Sequence, residues 1–271
     1  MRNNFTVQLT NNVTVHYNDE GSSEIPLVFI HGFPFDRTSW LPQYEYFKDY
    51  CRVVIYDIRG FGSSTTDSDT QFSMDVFAGD FLAFLKALHI EKAIVCGLSM
   101  GGYILMNAFR REPERFAGIV LCDTQCNADS EEAKKKREKT IEQIREKGVA
   151  DFADTFIKNV FYEEAFKKKK ETVDAIREVI LRTTQQTLVA AVKALAKRPD
   201  TCEVLSAVNV PALVMCGKQD TVTPPEKSQA MHDLIKNSVY HVIDGAGHLS
   251  NLEQPEAFNK HLGEFIKTIQ T

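Results

Sequence analysis

The sequence predicts an α/β protein with a mostly parallel, doubly wound sheet of about eight strands and one inserted helical segment. Short, continuously apolar runs alternate with helical patterns, which is typical of strands whose two faces are covered by helices. The alternation stops near residue 127 and resumes at Pro211, and the chain between them is charge-rich and helical in pattern. We therefore assign the sheet and its helices to residues 1–126 and 201–271, and a helical cap to residues 127–200.

The charge distribution supports the same division. The 271 residues carry a net charge of −5, and 43% of them are apolar, which is enough for a large core. Residues 129–200 contain 17 lysines and arginines against 14 acidic residues, whereas the remainder contains 15 against 23. A basic segment thus interrupts an acidic body, and this change of sign indicates an insertion with its own surface.

Composition also narrows the classes of partner. The mild negative charge gives no reason to expect a nucleic acid. Residues 1–6 are too polar for a signal peptide and no apolar run approaches ~18–20 residues, so the sequence predicts a cytoplasmic protein without a membrane span. The turn at residues 60–62 lacks the third glycine and the helix of a dinucleotide site, so no nucleotide cofactor is expected.

Three cysteines in predicted strands indicate buried thiols, and no cysteine pattern indicates a metal site. Cys96, Cys122 and Cys216 each lie in an apolar, strand-like run, which indicates buried reduced thiols. Cys126 follows Cys122 closely, but no His or Cys pair follows at the spacing of metal ligands. We therefore expect no zinc site and no other metal.

The predicted elements follow one another in the order that such a sheet requires. Alternating residues at 5–9 and 13–17 predict an edge hairpin, and the apolar runs at 27–30 and 52–56 predict buried strands. Ser73 predicts the N-cap of the next helix. Further strands are predicted at residues 93–96, 119–122, 211–216 and 239–243, with helices at 103–109 and from about 225 to 235.

Ser99 is the candidate nucleophile, because the stretch Gly-Leu-Ser-Met-Gly at residues 97–101 joins a predicted strand to a predicted helix. Such a sharp turn forces the serine into a strained backbone conformation and requires small residues beside it. The turn lifts the hydroxyl clear of the sheet, and the helix N-terminus offers backbone N–H groups to a developing oxyanion. The five residues alone are common in loops, but the flanking strand and helix favour a nucleophile.

His248 is the candidate general base, since imidazole has a pKa suited to activating a serine at neutral pH. It lies in a glycine-rich turn after the last predicted strand, at the carboxyl end of the sheet where α/β sites assemble. The remaining histidines fall within predicted strands or helices, except His31, which we expect to shape a loop.

Asp220 is the favoured acid to orient that base, because it directly follows the predicted strand that ends at Cys216. An ordinary turn aspartate is the other interpretation of Asp220. Asp123, at the end of the strand after the nucleophile, is the rival acid. The chain order of serine, aspartate and histidine is the order associated with α/β-hydrolases.

Over essentially its whole length, the chain resembles the α/β-hydrolase superfamily, and within it the small carboxylesterases and 3-oxoadipate enol-lactonase-like proteins. The matching segments are His-Gly-Phe-Pro at 31–34, Asp-Ile-Arg-Gly-Phe-Gly-Ser-Ser at 57–64, Gly-Leu-Ser-Met-Gly-Gly at 97–102, Gly-Lys-Gln-Asp at 217–220 and Gly-His at 247–248. The resemblance implies an oxyanion hole made by the backbone N–H groups of Phe33 and Met100, and a structural role for the 57–64 loop. A serine nucleophile departs from the epoxide hydrolases and haloalkane dehalogenases, which use aspartate.

The resemblance also implies that residues 127–200 form a cap over the site. The candidates for the substrate pocket are Phe152, Phe156 and Phe161 in the cap and Trp40 in the main body. The cap aromatics have two interpretations, packing between cap helices or lining a pocket.

Together these features predict a serine hydrolase that cleaves small carboxylic esters without a cofactor and takes a small-molecule ester or lactone as its partner. Enol-lactonases, C–C bond hydrolases and cofactor-free perhydrolases use the same triad and remain alternatives within enzymes. A ligand-sensing homologue with little turnover is the alternative outside them.

Overall fold

Eight strands form one sheet in the computed structural model, which describes residues 4–10, 12–66 and 71–270. The strands are β1 (Asn4–Gln8), β2 (Thr14–Glu20), β3 (Leu27–Ile30), β4 (Val53–Tyr56), β5 (Ala93–Leu98), β6 (Phe116–Cys122), β7 (Ala212–Gly217) and β8 (Ser238–Ile243). Their order across the sheet is β1-β2-β4-β3-β5-β6-β7-β8. The β1/β2 and β2/β4 pairs are antiparallel and the other pairs are parallel, which confirms the predicted sheet.

Helices separate the parallel strands along the chain. They are α1 (Leu41–Phe47), α2 (Met74–Ala87), α3 (Met100–Arg111), α4 (Glu131–Val160), α5 (Ala165–Lys168), α6 (Lys170–Leu181), α7 (Gln185–Ala196), α8 (Cys202–Ser206), α9 (Pro225–Leu234), α10 (Ser250–Glu253) and α11 (Pro255–Lys267). Ser73 caps α2 as the sequence predicted, since its hydroxyl accepts a hydrogen bond from the Val76 N–H at 3.1 Å.

Burial differs between the centre and the edges of the sheet. Every residue of β3, β4, β5 and β7 is buried, as expected for strands that helices cover on both faces. The edge strands β1 and β8 keep exposed positions. The central strands therefore form a rigid base for the loops at their carboxyl ends.

The chain between β6 and β7 is helical, as the break in strand–helix alternation predicted. Four helices, α4 to α7, fill the predicted insertion. The longest, α4, is broken at Gly148, where φ is 83° and a side chain would be strained. The boundaries at residues 127 and 200 stay a prediction, and we refer to residues 127–200 as the insertion.

A disulfide joins the two ends of the insertion. The sulfur atoms of Cys126 and Cys202 are 2.00 Å apart, although the residues are 76 positions apart in sequence. No local pattern in the sequence marks this pair. Cys96, Cys122 and Cys216 are free and buried, as predicted, and so is Cys51.

The structure tests the prediction about membrane spans but covers only part of the segment on which the prediction about export depends. Within the described ranges, none of the helices combines the length and apolar character that crossing a membrane requires. The polar segment at residues 1–6, on which the prediction about export depends, has its first three residues outside the described part of the chain.

Candidate active site

The turn at Ser99 has the strained geometry that its sequence predicts. Ser99 adopts φ 52° and ψ −114°, a conformation rare for residues other than glycine, and it joins β5 directly to α3. A Cβ on Gly97 would lie 2.5 Å from the Gly101 carbonyl oxygen, and one on Gly101 would lie 2.2 Å from the Ile30 carbonyl oxygen. Glycine is therefore required on both sides of the serine.

Ser99, His248 and Asp220 meet at the carboxyl end of the sheet. Ser99 Oγ lies 2.9 Å from His248 Nε2, and His248 Nδ1 lies 2.8 Å from Asp220 Oδ2. The imidazole and the carboxylate are both almost completely buried. If Nδ1 carries the proton donated to the carboxylate, Nε2 is free to accept the serine proton.

The charges of this group support each other. Burial opposes protonation of His248, but the Asp220 carboxylate outweighs it and raises the pKa of the imidazole above its usual value. Burial likewise opposes ionisation of Asp220, yet the charge and hydrogen bond of His248 lower the pKa of the carboxyl. The pair therefore favours an ionised carboxylate beside an imidazole that readily holds a proton.

Asp220 is held by donors that the sequence analysis did not name. Its Oδ1 accepts hydrogen bonds from the backbone N–H groups of Val222 and Thr223 at 2.8 and 3.0 Å. The Thr223 hydroxyl donates to Oδ2 at 2.8 Å and lies 3.2 Å from His248 Nδ1. A short polar side chain three residues after the acid was the available signal for Thr223.

Asp123, the rival acid, lies behind this group and has other partners. Its Oδ1 accepts from the Gly217 N–H at 2.7 Å, and its Oδ2 accepts from the Ser250 hydroxyl at 2.5 Å. The residue is completely buried and has a positive φ of 45°. Burial, reinforced by the nearby Asp220 charge, raises the pKa of Asp123 to about 8. These contacts suit a residue that joins the β7 turn to α10.

Glu253 is another buried carboxylate near the base, and it was not among the candidates predicted from the sequence. Its Oε1 accepts from the Gly247 N–H at 2.9 Å, and its Oε2 accepts from the Tyr162 N–H at 2.8 Å. Burial raises the pKa of Glu253 to about 7. A carboxylate five residues after the candidate base, at the end of the short helix α10, was the only signal for it.

The candidate oxyanion donors lie where two backbones come close. A Cβ on Gly32 would be 3.2 Å from Ser99 Cβ, so the segment that carries Phe33 passes directly beside the serine. Met100 is the first residue of α3, and the first N–H groups of a helix have no acceptor within it. The positions of both N–H groups are compatible with the predicted role, which stays a prediction.

The aromatic pocket candidates fall into three environments. Phe152 and Phe156 extend from α4 to Phe33, with ring centroids 6.0 and 5.9 Å from its own. Phe161 instead contacts Phe166, at 6.4 Å.

Trp40 is completely buried against Phe29 and Phe258, with ring centroids 4.5 and 5.9 Å away. This packing places Trp40 in the core of the main body, and its role in a substrate pocket stays a prediction.

The 57–64 loop is held by buried polar contacts. Asp57 accepts from the backbone N–H groups of Arg37 and Ser63, each at 2.8 Å. His31 Nε2 accepts from the Ile58 N–H at 3.0 Å, and burial lowers the pKa of His31 to about 4. His31 is thus a neutral acceptor that shapes the loop, as expected.

The structure offers no evident metal site. In residues 4–10, 12–66 and 71–270, no three His, Cys, Asp or Glu side chains are grouped to hold a metal ion.

The sheet order, the strained serine turn and the helices after β6 together define a hydrolase of the α/β-hydrolase class. The family model described as the alpha/beta hydrolase fold matches residues 25–255. The chain therefore belongs to the α/β-hydrolase fold family and is a hydrolase of that family.

Relatives within the family include lactonases and esterases. The chain is 32% identical over 244 residues to 3-oxoadipate enol-lactonase 1 of Acinetobacter baylyi, covering 90% of this chain and 89% of the relative. Among solved structures, a thermophilic esterase from Thermogutta terrifontis, with malate bound, has a TM-score of 0.93 and 34% identity over 99% of both chains. The enol-lactonase from Burkholderia xenovorans has a TM-score of 0.89 and 25% identity over 97% of this chain and all of its own.

Proposed function

We propose that this hydrolase cleaves small carboxylic esters through an acyl-enzyme on Ser99. The observation that carries the proposal is the buried hydrogen-bonded series Ser99 Oγ, His248 and Asp220, with separations of 2.9 and 2.8 Å. A nucleophile, a base within hydrogen-bond reach and a carboxylate that orients the base are what acyl transfer requires. The similarity to an esterase over 99% of the chain supports the same chemistry.

The proposed mechanism uses the same groups in acylation and in deacylation. His248 takes the proton of Ser99 as the serine oxygen attacks the ester carbonyl, and Asp220 stabilises the imidazolium. The N–H groups of Phe33 and Met100 stabilise the tetrahedral oxyanion. His248 then returns the proton to the leaving alcohol, and water attacks the acyl-enzyme by the same route. No step needs a cofactor.

The insertion is proposed to cover the substrate. Phe152 and Phe156 contact Phe33, whose N–H is a candidate oxyanion donor, so the rings of α4 lie over the edge of the sheet that carries Ser99. A group bound beside the serine would meet these rings. We therefore assign Phe152 and Phe156 to the acyl or alcohol pocket.

Lactone hydrolysis is the second candidate function. A lactone is a cyclic ester, so the same attack opens it, with the leaving alcohol still attached to the acyl group. The observation that favours it is the identity of 32% and 30% to two 3-oxoadipate enol-lactonases, each covered along about nine-tenths of its length.

The test is a screen of 4-nitrophenyl esters of increasing chain length with enol-lactones and saturated lactones alongside. Ser99→Ala should lower kcat/KM by roughly 10³-fold or more, since triad members act as a unit. A phosphonate probe should label Ser99, and Ser63→Ala, which changes an exposed serine, serves as the control. A burst without steady-state turnover would instead indicate a ligand sensor, and labelling at Ser63, Ser64 or Ser250 would contradict the assignment.

A further inference from the structure

The C-terminal end of α4 contacts the loops of both the candidate acid and the candidate base. The His248 backbone N–H donates to the Val160 carbonyl oxygen at 2.8 Å. The hydroxyl of Thr221, in the acid loop, donates to the Asn159 carbonyl oxygen at 3.4 Å. One short segment of the insertion, residues 159–162, is therefore hydrogen-bonded to both loops. We call this segment the α4 junction.

Glu253 joins the α4 junction to the base loop a second time. One carboxylate oxygen accepts the Tyr162 N–H and the other accepts the Gly247 N–H, at 2.8 and 2.9 Å. The side chain is only 3% exposed, so neither N–H could turn to water if the carboxylate were removed. A buried donor without an acceptor is costly, and a bond to an ionised acceptor is stronger than a neutral one.

The contact between the two backbones is close. A Cβ on Gly247 would lie 2.7 Å from the Tyr162 nitrogen and 3.0 Å from the Val160 carbonyl oxygen. Only glycine allows this approach, so the residue before His248 is packed directly against the end of α4. The base loop and α10 could not shift away from the α4 junction without breaking two hydrogen bonds, from the His248 N–H to the Val160 carbonyl oxygen and from the Tyr162 N–H to Glu253.

The charge of Glu253 also reaches the base. Burial opposes protonation of His248, and Asp220 provides the largest effect in the other direction; the Asp123 and Glu253 charges act in the same direction as Asp220. The pKa of Glu253 is itself raised to about 7, so its charge is only partly present where His248 titrates, and removing it should lower the pKa of the imidazole by a small amount.

We propose that Glu253 is a positioning residue for His248, which fixes the base loop against the α4 junction and so links the base to the insertion. The inference rests on the proposed function, in which His248 moves the proton between Ser99 and the leaving alcohol. It deepens that function, because the insertion then affects the proton transfer as well as covering the substrate.

Glu253→Gln is the first test. Glutamine has one acceptor oxygen, so one of the two buried N–H groups loses its partner. We expect kcat to fall roughly 10- to 100-fold while KM stays within about twofold. The loss should be larger for an ethyl ester than for the 4-nitrophenyl ester of the same acid, because only the ethoxide needs the proton from His248. The acid limb of the kcat/KM profile should move to lower pH.

Two comparisons control for charge and for folding. Glu256→Gln removes the same charge from an exposed residue three positions away and should leave kcat, KM and the pH profile unchanged. Glu253→Asp keeps a carboxylate but shortens the side chain by one methylene, so it cannot span the Tyr162 and Gly247 N–H groups that the glutamate binds. Glu253→Asp should reproduce the loss of kcat although it keeps the charge, and Tyr162→Ala, which keeps the backbone N–H, should not. Glu253→Asp also carries the test if Glu253→Gln fails to fold.

The outcomes separate this inference from the proposed function. If Glu253→Gln and Glu253→Asp lower only the melting temperature and keep the parent's kcat, leaving-group ratio and pH profile, Glu253 is purely structural and the inference is wrong. The titration of His248 and the resonance of its Nδ1 proton, followed by NMR without substrate, test positioning independently of turnover. Should the parent show no Ser99-dependent hydrolysis while Glu253→Gln moves that Nδ1 resonance, the proposed function falls and the positioning role stands. An unmoved Nδ1 resonance would overturn the positioning role.

Discussion

The carboxyl edge of the sheet and the insertion hold their residues in place by different means. At the edge, Asp220 and His248 are buried and Ser99 is half-buried, and each of the three follows a strand of the sheet. The insertion instead shows much of its surface to solvent, with exposed ion pairs along its helices such as Lys168–Glu164 and Lys170–Asp174. Pairs of this kind contribute little to stability.

Several contacts hold the insertion to the rest of the chain. The disulfide holds its ends, Phe152 and Phe156 pack on Phe33, and the α4 junction binds the base loop. We therefore expect a single substitution at the carboxyl edge to abolish catalysis. A single substitution in the insertion should instead change stability or selectivity.

The largest effect is expected at the acid. Asp220→Asn should lower kcat by roughly 10⁴-fold, because an amide cannot fix the imidazole tautomer or stabilise its cation. The remaining activity should also extend to lower pH, since Asp220 provides the largest of the effects that raise the pKa of His248. A pH series of kcat/KM on the folded variant measures both. A loss smaller than that of Asp123→Asn would move the acid to Asp123.

The disulfide should have the next largest effect, on stability rather than on chemistry. Replacing both Cys126 and Cys202 by serine should lower the free energy of unfolding by about 2–4 kcal/mol, because the bond closes a long loop of the unfolded chain. Other contacts also hold the ends together, including the Arg198–Asp129 ion pair. Urea unfolding with and without a reductant measures the effect.

The variant itself provides the control for that measurement. A reductant should destabilise the parent protein and leave the double serine variant unchanged, since its remaining cysteines are free and buried in the parent. Equal stability of the parent under both conditions would show that the bond contributes nothing.

This disulfide also marks the boundary of what the sequence predicts. The parallel sheet, Ser99, Asp220 and His248 were found because strand periodicity and glycine-rich turns are local patterns. Cys126 and Cys202 pair across the whole insertion, and that contact exists only after both ends have folded onto the sheet.

The same reason explains the supporting carboxylates. Asp123 was recognised as a candidate but not as the partner of Gly217 and Ser250, and Glu253 was not noticed at all. Their partners are backbone N–H groups and a hydroxyl brought near by tertiary packing, and no spacing in the sequence encodes those approaches.

The aromatic side chains of α4 should adjust selectivity by a smaller factor. Phe152→Ala and Phe156→Ala should change the ratio of kcat/KM for long and short acyl esters roughly tenfold, since a pocket methylene is worth about 1–3 kcal/mol. Phe161→Ala should shift this ratio less, because its ring contacts Phe166 rather than Phe33. Phe166→Ala, at a half-exposed ring, is the control. An unchanged chain-length profile in both α4 variants would make these rings packing residues only.

The smallest effect on catalysis is expected at Asp123, beside the residue with the largest. Burial and the neighbouring Asp220 charge raise its pKa to about 8, so the carboxyl is mostly protonated at pH 7. Asparagine is a neutral substitute of the same shape. We therefore expect Asp123→Asn to lower kcat less than about tenfold at pH 7, since the group does not bond to the imidazole.

The same pKa predicts how the stability of this variant depends on pH. A folded-state pKa above the unfolded value means that the native protein binds a proton that the unfolded chain releases between about pH 4 and pH 8. The free energy of unfolding of the parent should therefore fall as the pH rises through this window, and asparagine removes that fall. Between pH 5 and pH 8, the free energy of unfolding of Asp123→Asn, measured with urea, should rise relative to that of the parent by at least about 1 kcal/mol. The Asp220 carboxyl contributes no slope of its own in this window, because its pKa is lowered in the folded state and it is ionised in both the folded and the unfolded protein; the stability that its charge provides is lost only as the pH falls below about 4. If Asp123→Asn followed the parent in parallel between pH 5 and pH 8, Asp123 would not titrate differently on folding, and the contrast between the two aspartates at this edge would fail.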